Sequence, residues 1–322
     1  MPKAEPPLRK SANRASGAGK MKPVAFDYVR AVSVGHAVEA LAEAGSHAKI
    51  IAGGQSLMPM INFRLVKPSV LVDINRIPDL DTVEVRGDRV RIGALVRHRT
   101  TASDPVIRQE FPVVHEAMKN VAHMTVRNRG TFCGSVCHAD PAAEMPMMTL
   151  LLDGVVHIVS PRGERSLEAP EFLAAALSPP LAPDEVVVGI ELKRLPRGAG
   201  WAFEEFARRH GDYALASVAA TVERKDGLAS NVRVVLMGVA DMSSRLPQVE
   251  AVLEGSDMSP AVIGEAVRML RHTVVPKSDL GASADYRRHL GGALASRVLS
   301  AAWARAREGV AARAGRSISP SR

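Results

Sequence analysis

Apolar Val34, Ala37, Val38 and Leu41 recur at i, i+3, i+4, i+7, the spacing of one helix face. Ser33 stands at the N-cap position and Gly45 just past the last apolar residue, so an amphipathic helix is predicted between them. Residues 49–52 read as a short buried strand that stops at Gly53-Gly54, residues 57–65 as a turn or two of helix, and residues 70–74 as a second strand. Residues 83–92 alternate on both sides of Gly87-Asp88, a hairpin pattern. Helical segments are predicted over 112–121 and 141–152, the second with Asp140 as its cap and Pro141 in its first position. Strands follow over 155–160 and 185–192. Beyond Gly198-Ala199-Gly200, two strands at 214–223 and 232–240 flank Lys225-Asp226-Gly227, and three helices follow near 246–254, 259–272 and 284–308. Strands, hairpins and helices are mixed without steady β-α-β alternation, which predicts an α+β fold rather than a Rossmann sheet.

Composition narrows the class. With 322 residues, 46% of them hydrophobic, two domains are expected at roughly 100–200 residues each. The formal charge of +8 is concentrated at the ends. Residues 1–20 carry five basic residues against Glu5, and residues 303–322 carry five arginines against Glu308, leaving the body neutral. A neutral body that is only 4% aromatic argues against a basic groove or a base-stacking platform for nucleic acid. Two cysteines exclude a disulfide scaffold and fit a reducing compartment. No apolar run approaches the ~18 residues of a membrane span, and the N-terminus lacks a secretory apolar region. Residues 1–20 and 311–322 read as disordered.

Two segments offer binding chemistry. In Ala52-Gly53-Gly54-Gln55-Ser56-Leu57 a strand runs into two glycines and a hydroxyl, a place where free N–H groups can cradle an anion. In 127–144, Gly130, Thr131, Gly134 and Ser135 form a second donor-rich loop, and Glu144 follows inside the next predicted helix. Each is also the pattern of an ordinary glycine turn. Cys133 and Cys137 lack the further ligands of a metal or iron–sulfur site. His98 and His210 have basic neighbours and read as solvated faces or partner surfaces, and Met145-Pro146-Met147-Met148 reads as core. No acid–base constellation stands out.

Taken together, AGGQSL, the strand in PSVLVDINRIPDL, and RNRGTFCGSVCHADPAAEMP some 55 residues later resemble the flavin-binding subunit of molybdenum hydroxylases. This is the family of the carbon monoxide dehydrogenase medium chain and the xanthine dehydrogenase FAD domain. The similarity runs from Met21 to about Glu308, and MKPVAFDYVRAVSVGHAVEALAEAG resembles the family's opening. The resemblance implies a two-lobed PCMH-type FAD-binding domain over 21–197 and a smaller α+β domain over 198–310. It implies FAD contacts at Ala52, Gly53, Gly54, Gln55, Ser56 and Leu57, at Thr131, Gly134 and Ser135, at Glu144, and at Val187. The chain departs from the family pattern where Phe132-Cys133 replace Ile-Gly, Ser135 replaces Asn, and Glu144 replaces Asp. A lysine that some relatives place near the flavin has no counterpart here.

The function so implied is electron transfer, not substrate hydroxylation. FAD would receive electrons from iron–sulfur clusters of a small partner subunit, fed by a large molybdopterin-binding subunit, and pass them to an external acceptor. The expected assembly is a cytoplasmic dimer of heterotrimers, with the molybdenum cofactor and [2Fe-2S] clusters on the partners and no nucleic-acid or membrane partner. The alternatives are a non-catalytic FAD-binding or scaffold protein and a nucleic-acid binder acting through its basic tails. A nicotinamide-dependent Rossmann enzyme is disfavoured because AGGQS is not GxGxxG opening a long helix.

Overall fold

The computed structural model describes residues 22–307; the expected leader over 1–20 and tail over 311–322 lie outside the described residues. The chain divides into two compact units, one formed by residues up to Arg194 together with Arg209–Tyr213, the other by Leu195–Arg208 and the residues from Ala214 onward.

The first unit contains two sheets. Strands β1 (Asp27–Arg30), β2 (Ala48–Ile51) and β3 (Val70–Asp73) form a parallel sheet in the order β1-β3-β2. The helix Val34–Ala44 connects β1 to β2, with Ser33 Oγ accepting from His36 N at 3.1 Å and Ala37, Val38, Ala40 and Leu41 buried. This is the helix that the periodicity predicts. Strands β4 (Val83–Arg86), β5 (Arg89–Gly93), β6 (Val155–Ser160), β7 (Gly163–Glu168) and β8 (Val186–Lys193) form an antiparallel sheet in the order β4-β5-β8-β6-β7. Central β8 is buried along most of its length, which is why it reads as a continuous apolar run. Opposite β6 its register slips: Ile158 pairs with Val187 and His157 with Gly189, so Val188 bulges. Helices Phe132–His138 and Glu144–Leu151 lie between β5 and β6 in sequence. In the second of these every residue from Met145 to Leu151 is buried, so the methionine run is core.

In the second unit, β9 (Gly200–Ala207), β10 (Ala214–Lys225), β11 (Leu228–Met237) and β12 (Ser244–Arg245) form an antiparallel sheet in the order β12-β11-β10-β9. Val218, Ala220, Val234 and Leu236 share one core with Leu270, Leu294 and Val298 of helices Pro260–Thr273 and Ala284–Arg305. The mixture of short parallel and antiparallel sheets with helices is the α+β architecture expected.

Two local expectations are corrected. The helix expected over 141–152 begins at Glu144. Asp140 does not cap it; its carboxylate accepts from Ala142 N at 2.8 Å, in a turn entered through Ala139 at a left-handed φ of 50°. The stretch read as a second loop continues as the helix Phe132–His138, capped by Thr131, whose Oγ1 accepts from Gly134 N at 3.0 Å. Strands β1 and β7 escape sequence reading because both are short and largely exposed, so neither carries an apolar alternation.

Two ionisable groups in the second unit carry expected consequences for stability. Buried Arg287 donates to the carbonyls of Leu215 (2.8 Å) and Gly238 (2.6 Å) and to both oxygens of Asp279. Arg287→Met strands those carbonyls and is expected to cost roughly 3 kcal/mol, read from the urea midpoint. In β9, burial pushes the Glu205 carboxyl up to about 7, against the opposing hydrogen bond from Ser217 at 3.1 Å. A carboxyl raised in the folded state favours folding at low pH, and that contribution is lost as pH rises from its unfolded value through about 7. Glu205→Gln is therefore expected to raise the unfolding midpoint relative to wild type at pH 8 and to show no such gain at pH 4.

Candidate functional site

The two glycine-containing segments meet backbone to backbone. A Cβ placed on Gly53 would lie 2.5 Å from the carbonyl oxygen of Arg129 and 2.7 Å from the Cα of Gly130. Only a residue without a side chain allows that approach. The glycine at 53 thus serves the contact between the segments, a role distinct from the ligand approach that the sequence suggests. Gly54 adopts φ +72°, which turns the chain out of β2 toward the helix Leu57–Asn62.

Polar side chains fasten this crossing. Just past β3, Asn75 Nδ2 donates to Ala52 O at 2.9 Å and to Asp73 Oδ1 at 2.6 Å. Arg97 donates one guanidinium nitrogen to Asn75 Oδ1 and another to Arg129 O. A hydrogen-bonded chain therefore runs from the first segment through Asn75 and Arg97 to the second. Tyr28 donates to Asp73 at its far end. Burial pushes the Asp73 carboxyl up, and the bonds from Tyr28 and Asn75 more than offset this, holding it below the usual carboxylate range. The backbone adds a bridge between Arg97 and Thr131, with His98 N donating to Gly130 O at 2.9 Å and Phe132 N to Val96 O at 3.0 Å.

Beside the crossing lies a cleft of about 800 Å³ within the first unit. All eleven residues singled out from the sequence line it: Ala52 to Leu57 on the first segment, Thr131, Gly134 and Ser135 on the second, then Glu144 and Val187. Val187 is 6% exposed and flanks the β8 bulge. The N–H groups of Gly53, Gly54, Gln55 and Ser56 make no hydrogen bond with other described residues, whereas Met58 N and Met60 N donate to Gly54 O and Ser56 O. A run of unengaged donors on a cleft wall is an anion-binding arrangement. Near Glu144, burial together with the charges of Asp140 and Glu144 raises the hydroxyl of Tyr213, so carboxylates and a phenol gather in one part of the cleft.

Several residues of the crossing and of the cleft escape the sequence reading. Asn75 and Arg97 carry no motif, and Arg209–Tyr213 belongs to this unit although its sequence neighbours do not. The solvated reading of His98 is overturned: it is 5% exposed, lines the cleft, and its imidazole is pushed down to about 4 by burial and by Arg127. Its charged neighbours in sequence point elsewhere because His98 opens a helix, His98–Ser103, whose successive residues face different directions. Cys133 and Cys137 are free thiols on the same wall; burial raises both, Cys137 to about 12. Both thiols are therefore held in the protonated form at physiological pH. Among the described residues no group of three or more His, Cys, Asp or Glu is arranged to hold a metal ion.

Comparison with known proteins gives this site its context. Residues 24–195 match the family model of the FAD binding domain in molybdopterin dehydrogenase, and residues 201–302 match the CO dehydrogenase flavoprotein C-terminal domain. The 6-hydroxypseudooxynicotine dehydrogenase complex subunit alpha of Paenarthrobacter nicotinovorans is 41% identical, over 89% of this chain and 97% of its own. The caffeine dehydrogenase subunit beta of Pseudomonas sp. (strain CBB1) is 36% identical, over 88% and 96%. A chain of the carbon monoxide dehydrogenase of Hydrogenophaga pseudoflava superposes with a TM-score of 0.86 at 35% identity, covering 89% of this chain and all of that one. With more than half its length matched by the FAD-binding model and the rest of its body by the flavoprotein C-terminal model, the chain belongs to the FAD-binding subunits of the molybdenum hydroxylases, the family of the carbon monoxide dehydrogenase medium chain.

Proposed function

We propose that the chain holds FAD in the cleft of its first unit and works as the electron-transfer subunit of a molybdenum hydroxylase, receiving electrons from a partner's iron–sulfur clusters and delivering them to an external acceptor. The observation that carries this is the row of four unengaged N–H groups, Gly53 to Ser56, on the wall of a cleft large enough for a dinucleotide. Its volume lies within the ~300–1,000 Å³ of small-molecule sites. FAD, when bound, supplies the redox chemistry; the protein supplies binding, orientation and exclusion of water.

In this reading the backbone of Gly53 to Ser56, with the Ser56 hydroxyl, holds the pyrophosphate. The Gly134 N–H is committed to capping its helix through Thr131 Oγ1, so the hydroxyls of Thr131 and Ser135 are the donors of that segment left for the cofactor, with Gly134 offering close backbone approach. Glu144 takes hydroxyls of the adenosine part, and Ala52, Gln55, Leu57 and Val187 close the walls. Asn75 and Arg97 keep the two segments at contact distance without touching the cofactor themselves. The domain extents proposed are 21–197 for FAD binding and 198–310 for the flavoprotein C-terminal domain, in keeping with the family matches.

The partners proposed are an iron–sulfur small subunit and a molybdopterin-binding large subunit, in a cytoplasmic dimer of heterotrimers. Two free cysteines fit a reducing compartment. No described helix is long and apolar enough to cross a membrane. Relatives whose names give such different substrates as 6-hydroxypseudooxynicotine, caffeine and carbon monoxide share this flavin chain. Substrate choice is accordingly assigned to the large partner.

The purified full chain, reconstituted with excess FAD and desalted, is expected to be yellow and to release FAD on denaturation. Release of FMN alone, or of no flavin, rejects the cofactor reading. Gly53→Ala pushes the two segments apart and is expected to lower bound FAD at least tenfold by absorbance, against a wild type near one per chain. Affinity purification of the tagged chain from its native host is expected to bring down two further chains with molybdenum and with iron in clear excess over molybdenum. Recovery of this chain alone, fully flavinylated, favours the scaffold reading instead.

A further inference from the structure

Among the cleft's polar side chains without a role in FAD binding so far, His98 is the one whose ring holds a buried nitrogen with no hydrogen-bond partner. His98 is 5% exposed, and its Nδ1 is sealed from solvent without a hydrogen-bond partner. Burying a polar nitrogen unpaired is costly, so such a residue calls for an explanation. The ring is firmly placed. His98 N donates to Gly130 O at 2.9 Å, and a Cβ on Gly130 would lie 2.7 Å from the ring's Cδ2 and 3.2 Å from its Nε2. The Cδ2–Nε2 edge therefore rests against the glycine whose Cα also meets Gly53. That stacks His98, Gly130 and Gly53 at the crossing where the unengaged N–H groups begin.

The protonation state follows from these surroundings. Burial and the nearby guanidinium of Arg127, itself pinned by the carbonyls of Val121 and Ala122, disfavour the imidazolium. A neutral imidazole carries one N–H. No acceptor is within reach of the sealed Nδ1, so the proton belongs on Nε2, the nitrogen left to face the cleft that the ring lines. We propose that His98 is a cofactor-contacting residue, presenting Nε2–H as an uncharged donor to a phosphate oxygen of FAD beside the Gly53–Ser56 backbone. The proposal rests on the FAD reading and adds a side-chain donor to it. An uncharged donor suits this position because the ring contributes a hydrogen bond without bringing a buried charge that the empty cleft would leave unpaired.

The test is FAD titration of apoprotein prepared from the full chain, followed by flavin fluorescence, for wild type, His98→Leu and His98→Gln. Glutamine carries its amide nitrogen close to the position of Nε2; leucine fills the space without a donor. His98→Leu is expected to weaken FAD binding about tenfold and His98→Gln to stay within about threefold of wild type. The apo melting temperature of His98→Leu is expected to equal or exceed that of wild type, because the sealed nitrogen is gone. An unchanged FAD affinity in His98→Leu overturns the proposal. So does a glutamine variant as weak as the leucine one, which would make ring shape, not the donor, the requirement. Should His98→Leu fail to fold, wild-type protein labelled with 15N-histidine decides: a shift of the His98 Nε2 resonance on adding FAD is expected, and an unmoved resonance overturns the assignment. A wild type that takes up no FAD would instead take down the cofactor reading as well, so the two failures are distinguishable.

Discussion

The site depends on one contact, the backbone of Gly53 laid against Arg129 O and the Cα of Gly130. Two chain segments 77 residues apart can touch there only because Gly53 has no side chain, while the missing side chain of Gly130 makes room for the His98 ring. Left alone, such a contact would leave backbone polar groups short of partners in a partly buried place. Asn75 and Arg97 supply those partners, one bonding Ala52 O and the other Arg129 O, with a bond between them. Each of these side chains is itself planar and offers several directional groups. The crossing is therefore held in distance and in angle together.

The rest of the first unit serves to bring the four pieces of this crossing together. The parallel sheet ends its strands β2 and β3 side by side, which delivers Ala52 and Asn75 to the same edge. Strand β5 leads directly to Arg97 and His98, and the bridge to Thr131 locks that exit against the second segment. Central β8, buried between β5 and β6, sets the floor, and its bulge at Val188 marks where Val187 meets the cleft. Ligand sites at the ends of parallel strands are a general consequence of strand direction, since loops there converge with their donors exposed. Here an antiparallel sheet completes what three short parallel strands cannot enclose.

Elements with strong periodicity are legible in the sequence alone. The helix Val34–Ala44 and the hairpin of β10 and β11 follow directly from apolar spacing and turn residues. The helix starting at Glu144 is placed three residues too early by its sequence, because Asp140-Pro141 carries the composition of a helix start while forming a turn. The cleft's glycine segments are legible as local composition, and their pairing rests on family resemblance. What cannot be read is everything that depends on long-range placement. Asn75, Arg97 and His98 lie in stretches that look like ordinary strand ends and basic surface. Nothing local distinguishes an arginine that spans to Arg129 O from one in solvent, and His98 between Arg97 and Arg99 has the sequence context of an exposed residue.

The kind of donor on the cleft wall has a further physical meaning. The lining includes Asp140, Glu144, Glu185 and Asp212 against a single lysine, Lys49, and no arginine. A pyrophosphate entering this space would be met by backbone N–H groups, hydroxyls and a neutral imidazole, not by ion pairs. Such donors are fixed when the protein folds, lose little side-chain entropy on binding, and keep no unpaired charge when the ligand is absent. A long cationic side chain would pull harder but would have to be ordered at each binding event and desolvated with its charge. The same logic accounts for the strictness of the backbone contact. Dipolar donors act over short distances, so their spacing must be set to within a few tenths of an ångström, and the Gly53–Gly130 crossing with its asparagine–arginine fastening is the part of the fold that sets it.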